Sequence, residues 1–381
     1  MDYNQCNKCV MDTTDEHIYF DSNGVCNHCI RFEEFQKPKW FPNKEGEKKL
    51  EHLFGVIKNE GKNKEYDCIL GLSGGLDSSY VAILAKKYGL RPLVFHVDAG
   101  WNSELAVYNI EKVIEYCNYD LVTHIMDWNE IKDLQRAYIR SGVANQDVVQ
   151  DHSFVSILYH YANKHRIKYV LNGSNLATES VFPSSWHHDA MDSINLKAIH
   201  RKYGEKKLKH FKPISFFQYY FWYPIAMNMT VLNPLNLVYY NPEEVKEYLI
   251  KNIGYKPYGR KHGESGFTKF FQNYFLVKKF GYDKRKLHLS SMILSNLITR
   301  DEAIDELKKP LYDNLELNQD KAFVAKKLGF TVEELDGFIS KDNGHYSNFP
   351  NWDSRYKLLK KLQHFIANYT SIRINTYYKK I

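Results

Sequence analysis

The stretch CILGLSGGLDSSYVAILAKKYG, residues 68–89, constrains this chain more than any other. An apolar run, a glycine pair and an amphipathic run follow one another without a spacer. The first reads as a strand and the last as a helix that stops at Gly89, where a left-handed C-terminal residue is tolerated. Two glycines at the turn let a phosphate approach the main chain closely. The hydroxyls of Ser73 and Ser78 and the free N–H groups of a helix start donate to its oxygens. The Lys of the Walker loop G-x-x-x-x-G-K-[ST] is absent, so charge has to be balanced by Mg²⁺ or by cations from elsewhere in the chain. Asp77 is the candidate to help hold that metal.

The strand–helix pattern repeats. LVFHVD, DLVTHIM and KYVLNGS read as further strands. SELAVYNIEKVIEYC, WNEIKDLQRAYIRSG and DHSFVSILYHYANKHRI read as helices, the last with Asp151 placed at its start. Such alternation predicts a parallel sheet with right-handed crossovers, and ligands of such sheets bind beyond the carboxyl ends of the strands. After residue 180 the pattern breaks into the polar VFPSSWHHDAMDS. Helical patterns return at 242–252, 268–280, 300–308, 319–328 and 355–368. The expected organisation is an N-terminal ribbon over 1–40, an α/β domain over 41–240 and a helical region over 241–381, with PKWFPNKEGEKK as the first linker.

The ribbon rests on Cys6, Cys9, Cys26 and Cys29: C-x2-C, sixteen residues, C-x2-C. Each knuckle turns two thiolates toward one point, and two knuckles close a tetrahedral site for a structural Zn²⁺. His28 lies between two ligands, but four Cys already satisfy the metal. Cys68 reads as a strand residue and Cys117 as part of the helical face of Ile110, Val113 and Ile114.

Composition narrows the function classes. The net charge of +7 is spread over short basic runs, which suits an anionic substrate site better than a nucleic-acid groove. The longest apolar segment, ISFFQYYFWYPIAM, is too short to span a bilayer, and no signal-peptide pattern precedes the ribbon. A cytoplasmic enzyme is expected.

SGGLDSS resembles the pyrophosphate loop of the PP-loop ATP pyrophosphatases (adenine nucleotide alpha-hydrolase-like fold). In these, the loop holds the pyrophosphate end of ATP while AMP is placed on a carbonyl oxygen and then displaced. The resemblance implies ATP with Mg²⁺ on Ser73, Gly74, Gly75, Asp77 and Ser78, adenine beside His96, Val97 and Asp98, and closure by Gly173, Ser174, Asn175 and Glu179. A narrower resemblance runs through CNKCVMDTTDEHIYFDSNGVCNHC, HVDAGWNSELAVYNIEKV, NGSNLATES, KAIHRKYG, GRKHGESGFTKFFQNYFLVKKFGYDKRKLHLSSMI and ITRDEAIDEL. These blocks are similar to the bacterial N-acetyl sugar amidotransferases of surface-polysaccharide and pseudaminic-acid type. That family converts an N-acetyl group of a sugar, free or nucleotide-linked, into an acetamidino group. Ammonia comes from a separate glutaminase with a cyclase-like channel subunit. Where the family pattern has an Arg near Pro183–Trp186, this chain has Ser184 and Ser185.

Adenylation and ammonia attack need groups that stabilise an imidate and a departing pyrophosphate. The candidates are Asp77, Lys261, His262, Glu264, Lys284, Arg285 and His288. Trp101, Asn102 and Glu104 follow the second strand, and Trp186 and His200 are candidates to shape a sugar site. The main rival is a PP-loop tRNA-thiolating enzyme, which needs further cysteines where only Cys68 and Cys117 remain. A self-contained glutamine amidotransferase would need its own Cys nucleophile, and the first Cys is a ribbon ligand. A nucleotide-binding adaptor is the non-enzyme reading.

Overall fold

The structure is a computed structural model that describes residues 3–259 and 263–369. Its centre is the expected parallel sheet. β1 (Cys68–Gly71), β2 (Pro92–Asp98), β3 (Leu121–Ile125), β4 (Tyr169–Leu171) and β5 (Thr230–Leu232) lie in the order β3-β2-β1-β4-β5. β1, β2 and β4 are buried nearly throughout because helices cover both faces, which is why they read as continuous apolar runs. From β1 the chain winds outward through β2 to β3 and returns across the sheet to β4. A crevice therefore opens between the carboxyl ends of β1 and β4.

β5 is a strand that the sequence reading did not identify. It is three residues long and pairs with β4 through Tyr169↔Thr230, Val170↔Val231 and Leu171↔Leu232. A segment that short shows no period of its own, so only its neighbour identifies it. The apolar segment ahead of it forms the π-helical stretch Gln218–Ala226, with Tyr220 and Tyr223 buried. No helix among the described residues is long and apolar enough to cross a membrane.

One core lies on each face of the sheet. A third joins the cysteine ribbon to the C-terminal helices, with Met11 and Phe32 clustered with Phe267, Phe271 and Leu287. Polar contacts fix this union. Arg300 donates to the carbonyls of Cys6 and Cys9 at 3.0 and 3.1 Å, and Lys286 pairs with Asp12. The helix expected to start at Asp151 begins at Val148, which places Asp151 in its first turn and Asp147 at the N-cap position. The pattern at 268–280 is realised as Gly266–Phe270, a π-helical turn Phe271–Phe275 and Leu276–Phe280. Helices at Ser193–Tyr203, Arg285–Leu294 and Val332–Ser340 were not expected from periodicity.

Candidate functional site

After β1 the chain turns through Leu72–Gly75 into the helix Leu76–Lys87, with Gly75 as its N-cap. Gly74 has φ +81°, and a Cβ there would stand 2.5 Å from the Ala106 carbonyl oxygen. Both the backbone and the space demand glycine. The loop is tied internally: Gly75 N–H donates to Ser73 Oγ at 3.1 Å, and Ser79 Oγ–H donates to the Gly75 carbonyl at 2.7 Å. Ser78 Oγ lies 3.1 Å from Ser73 Oγ.

Three tyrosines that sequence reasoning missed hold the loop from behind. Tyr255 and Tyr258 donate to the Gly74 carbonyl at 3.3 and 2.9 Å, and Tyr240 donates to Asp77 Oδ1. Burial, then the Asp77 carboxylate, push the Tyr240 phenol far above its usual range, so it remains a donor. The abundance of Tyr was visible in the sequence, but nothing local ties these three to residues some 160 to 180 positions earlier.

The loop opens into a cleft of about 750 Å³ lined by Ser73, Gly75, Asp77 and Ser78 on one side and Glu264, Lys284 and His288 on the other. At the sheet's switch point the two glycine turns meet, since a Cβ on Gly173 would come 3.0 Å from Ser78 N. Ser174 and Glu179 line the cleft, while Asn175 is buried beneath it, capping the turn Leu176–Glu179 through Thr178 N–H. His96 and Val97 line it as well. His96 Nδ1 bonds the Leu72 carbonyl at 2.8 Å and Nε2 faces Asn102 Nδ2 at 2.8 Å. Burial lowers its pKa, so the ring is neutral and spent on holding the loop. Asp98 stands outside the lining and accepts from Gly100 N–H at 2.7 Å.

On the opposite wall, a Cβ on Gly75 would come within 3.3 Å of Glu264 Oε1, which places that carboxylate against the glycine loop. Lys284 lines the cleft and forms no hydrogen bond or ion pair with the described residues. Burial lowers its pKa, opposed by the carboxylates of Asp147, Asp151 and Glu179. Asp147 is held by Thr268 Oγ1 and Gln272 Nε2, both at 3.0 Å. His288 Nδ1 bonds the Thr178 carbonyl at 3.0 Å.

Arg285 corrects the expectation of a catalytic role. It pairs with Asp283 at 2.7 Å and donates to the carbonyls of Glu306, Leu307 and Lys309, outside the cleft. Lys261 and His262 lie outside the described residues. Trp101 is buried against Trp128 and Phe267, and Glu104 opens its helix away from the lining. Trp186 stacks on Tyr282 at 4.7 Å, and His200 pairs with Asp133 at 2.9 Å. Neither reaches the main cleft. Ser184 and Ser185 dock their loop onto the ribbon through His17 and Asp15.

In the ribbon, all four cysteine sulfurs lie within 4.8 Å of one another and are buried. The separations Cys6–Cys29 and Cys9–Cys26 are 3.8 and 3.6 Å. A tetrahedron with Zn–S bonds of about 2.3 Å requires edges of about 3.8 Å, so the residues present fit zinc. Backbone N–H groups of Lys8, Cys9 and Cys26 point at Cys6 Sγ, as a thiolate requires. His28 is not a ligand, because its Nε2 bonds Asp15 at 2.7 Å.

No curated protein matches the chain. Among solved structures it is similar to the NH3-dependent NAD synthetase from Campylobacter jejuni, at 22% identity over 35% of this chain and 58% of that one, TM-score 0.27. The NMN synthetase from Francisella tularensis is 22% identical over 35% and 55% of the two chains, TM-score 0.27. The NAD+ synthetase from Burkholderia pseudomallei is 15% identical over 60% and 100%, TM-score 0.29. The chain thus spans little more than half the length of the first two. The C-terminal wall of the cleft gives the more specific match, to the family described as LPS biosynthesis protein WbpG-like, C-terminal domain, over residues 264–363. Over that segment, residues 264–363, the chain is similar to the WbpG-like family of LPS biosynthesis proteins.

Proposed function

We propose that the chain is an ATP-dependent, AMP- and pyrophosphate-forming amidotransferase acting on the N-acetyl group of a glycan sugar precursor. The observation that supports it most is the Ser73–Ser78 loop. A lysine-free phosphate cradle sits at the switch point of a parallel sheet and faces a cleft whose far wall carries Lys284 and Glu264. Such a cradle suits departure of pyrophosphate rather than transfer of the γ-phosphoryl group.

In this reading the acetamido oxygen attacks the α-phosphorus and the bond to pyrophosphate breaks. Ammonia then adds to the imidate carbon, and the C–O bond breaks as AMP leaves with the oxygen. The product is an acetamidino group. The loop N–H groups and serine hydroxyls bind the pyrophosphate. Asp77, with Glu179 in the same cleft, is the set that would hold Mg²⁺, which would supply charge neutralisation to the leaving group. Lys284 faces the charge that develops at the α-phosphate, and Glu264 is placed to accept a proton from the attacking nitrogen. The WbpG-like match in LPS biosynthesis supports a sugar acceptor. Ammonia comes from a separate glutaminase with a channel subunit, and the ribbon holds Zn²⁺. The tRNA-thiolating alternative is disfavoured because Cys68 and Cys117 are both buried. Burial pushes both thiols up, that of Cys117 to about 12.

The test is incubation with ATP, ammonium chloride and a panel of free and nucleotide-linked N-acetyl sugars. AMP and pyrophosphate should form in equal amounts, with one oxygen lost and one NH gained in the sugar. Formation of ADP, or AMP release indifferent to ammonium, would sink the reading.

A further inference from the structure

A buried carboxylate of the main cleft plays no part in the chemistry above. Asp147 lines the cleft and is only 5% exposed. It occupies the N-cap position of the helix Val148–Lys164, where an Asp ordinarily accepts from N–H groups of the first turn. Here the backbone is helical, at φ −75° and ψ −9°, and the side chain makes no cap hydrogen bond. Its two oxygens are held from across the cleft instead. Thr268 Oγ1 donates to Oδ1 and Gln272 Nε2 donates to Oδ2, both at 3.0 Å. Gln272 sits on the π-helical turn Phe271–Phe275, a geometry found mostly as single turns at functional sites. No Lys, Arg or His forms an ion pair with Asp147 among the described residues. A carboxylate offers about four acceptor sites, so one with two neutral donors keeps capacity for a donor from the cleft.

A row of hydrogen bonds runs from Asp147 back toward the glycine loop. Thr268 Oγ1 accepts from Gln150 Nε2 at 3.2 Å, and Gln150 Oε1 accepts from Ser265 Oγ at 3.0 Å. Ser265 follows Glu264, the carboxylate set against Gly75. Every member of the row lines the cleft. Farther along the helix Val148–Lys164 the lining turns apolar, at Phe154, Val155 and Leu158. An amide N–H placed there would be buried without a partner, which disfavours it. The polar end of the cleft therefore suits an acetamido group, with Glu264 at the loop and Asp147 at the other end of the row.

We propose that Asp147 is the catalytic carboxylate of the adenylation step, accepting the acetamido N–H while the acetamido oxygen attacks the α-phosphorus. The assignment rests on the amidating function given above. As the O–P bond forms, the nitrogen lone pair is drawn into a C=N bond and the N–H becomes acidic. Asp147 takes that proton, and the electron pair of the broken P–O bond leaves with pyrophosphate. The intermediate is a neutral imidate carrying AMP. When ammonia adds to the imidate carbon, the sugar nitrogen recovers its proton from Asp147, and the proton lost by ammonia goes to Glu264. The two carboxylates thus serve successive steps.

The test separates the two steps, using an N-acetyl sugar that wild type accepts. Exchange of labelled pyrophosphate into ATP, with sugar and without ammonium, reports adenylation alone. AMP formation with ammonium chloride reports the whole sequence. At saturating sugar and ATP, Asp147→Asn should lower both rates together by about 10²–10⁴-fold. In Glu264→Gln the loss should fall mainly on AMP formation, so that the ratio of exchange to AMP formation rises about tenfold. Thr268→Val and Gln272→Met keep the carboxylate but loosen it, and each should slow exchange about tenfold. Exchange by Asp147→Asn at the wild-type rate, or lowered only through a higher KM for sugar or ATP, overturns the assignment and leaves the amidating function standing. Equal losses of both rates in Glu264→Gln also overturn it, because the carboxylates would not divide the steps. Where Asp147→Asn does not fold, unchanged exchange in both Thr268→Val and Gln272→Met overturns it. Wild-type protein that forms no AMP with any sugar, or forms it without ammonium, removes the amidating function and the assignment with it.

Discussion

The two walls of the main cleft are built from different materials. On the side of β1 and β4 the surface is largely main chain: N–H groups of a helix start, two glycine turns in contact, and serine hydroxyls that brace them. On the opposite side it consists of side chains, Glu264 from a turn, Lys284 from a helix N-cap and His288 from that helix's first turns, all far along the chain. The first wall tolerates few residue types, because a Cβ at Gly74 or Gly173 meets a neighbour at 2.5 or 3.0 Å. The second depends on which way each side chain turns. Lys284 and Arg285 show this most sharply. They are adjacent, yet one faces the cleft and the other clamps the carbonyls at the end of the helix Arg300–Lys308. Lys284 is the N-cap and Arg285 the first residue of the helix Arg285–Leu294, and a step of one residue, about 100° of rotation, is enough to separate a cleft-facing side chain from a structural one.

The contrast can be broken by substitution. The largest effect is expected for Asp77→Ala, with AMP formation falling by about 10²–10³-fold in a protein that keeps its fold. Lys284→Ala should follow at about 10²-fold. Arg285→Ala should leave turnover per folded molecule within about twofold and lower the unfolding free energy by about 1–3 kcal/mol, the loss of charge-assisted bonds to carbonyls. An Arg285→Ala variant as inactive as Lys284→Ala, at wild-type stability, would erase the distinction between the two residues.

The ribbon extends the comparison, since it braces the side-chain wall rather than the main-chain wall. Arg300, Lys286 and Ser290 tie it to the helices that carry Lys284 and His288. Elemental analysis should find about one zinc per chain, absent from Cys26→Ser. In that variant, proteolysis should cut the first forty residues, and the C-terminal helices should loosen before the sheet does. Metal-free protein with an intact ribbon would remove the zinc assignment.

A smaller effect concerns the main-chain side. His152, buried in the helix Val148–Lys164, donates from Nδ1 to the Ala190 carbonyl at 2.8 Å and accepts from Ile214 N–H at Nε2 at 3.0 Å. Burial holds its pKa down to about 4, against 6.5 ordinarily, so the folded form binds its proton less readily than the unfolded form. The associated stability is complete above pH 6.5 and is lost as pH falls toward 4, by about 3 kcal/mol at that limit. Denaturant unfolding of wild type and His152→Gln across this range should show the difference between them shrinking as pH falls. A difference independent of pH would mean that His152 is already charged in the native state.

The glycine loop, the first four strands and the four-cysteine ribbon were legible because each is written in a few consecutive residues. A left-handed glycine, a C-x2-C knuckle and an apolar run before a helix start have local physical causes. What the fold alone decided lies at long sequence separation or depends on rotation about a helix. β5 exists because β4 offers it an edge, and Tyr240, Tyr255 and Tyr258 matter because a distant segment returns to Gly74 and Asp77. The π-helical turn Phe271–Phe275 breaks the 3.6-residue phase between Gly266 and Phe280, so a sequence period cannot be carried across it. Lys284 and Arg285 drew their different surroundings from direction and from neighbours. Local chemistry determined where a phosphate and a metal ion fit in this chain, and tertiary packing decided which side chains face them, because a contact partner hundreds of residues away leaves no mark on the local pattern.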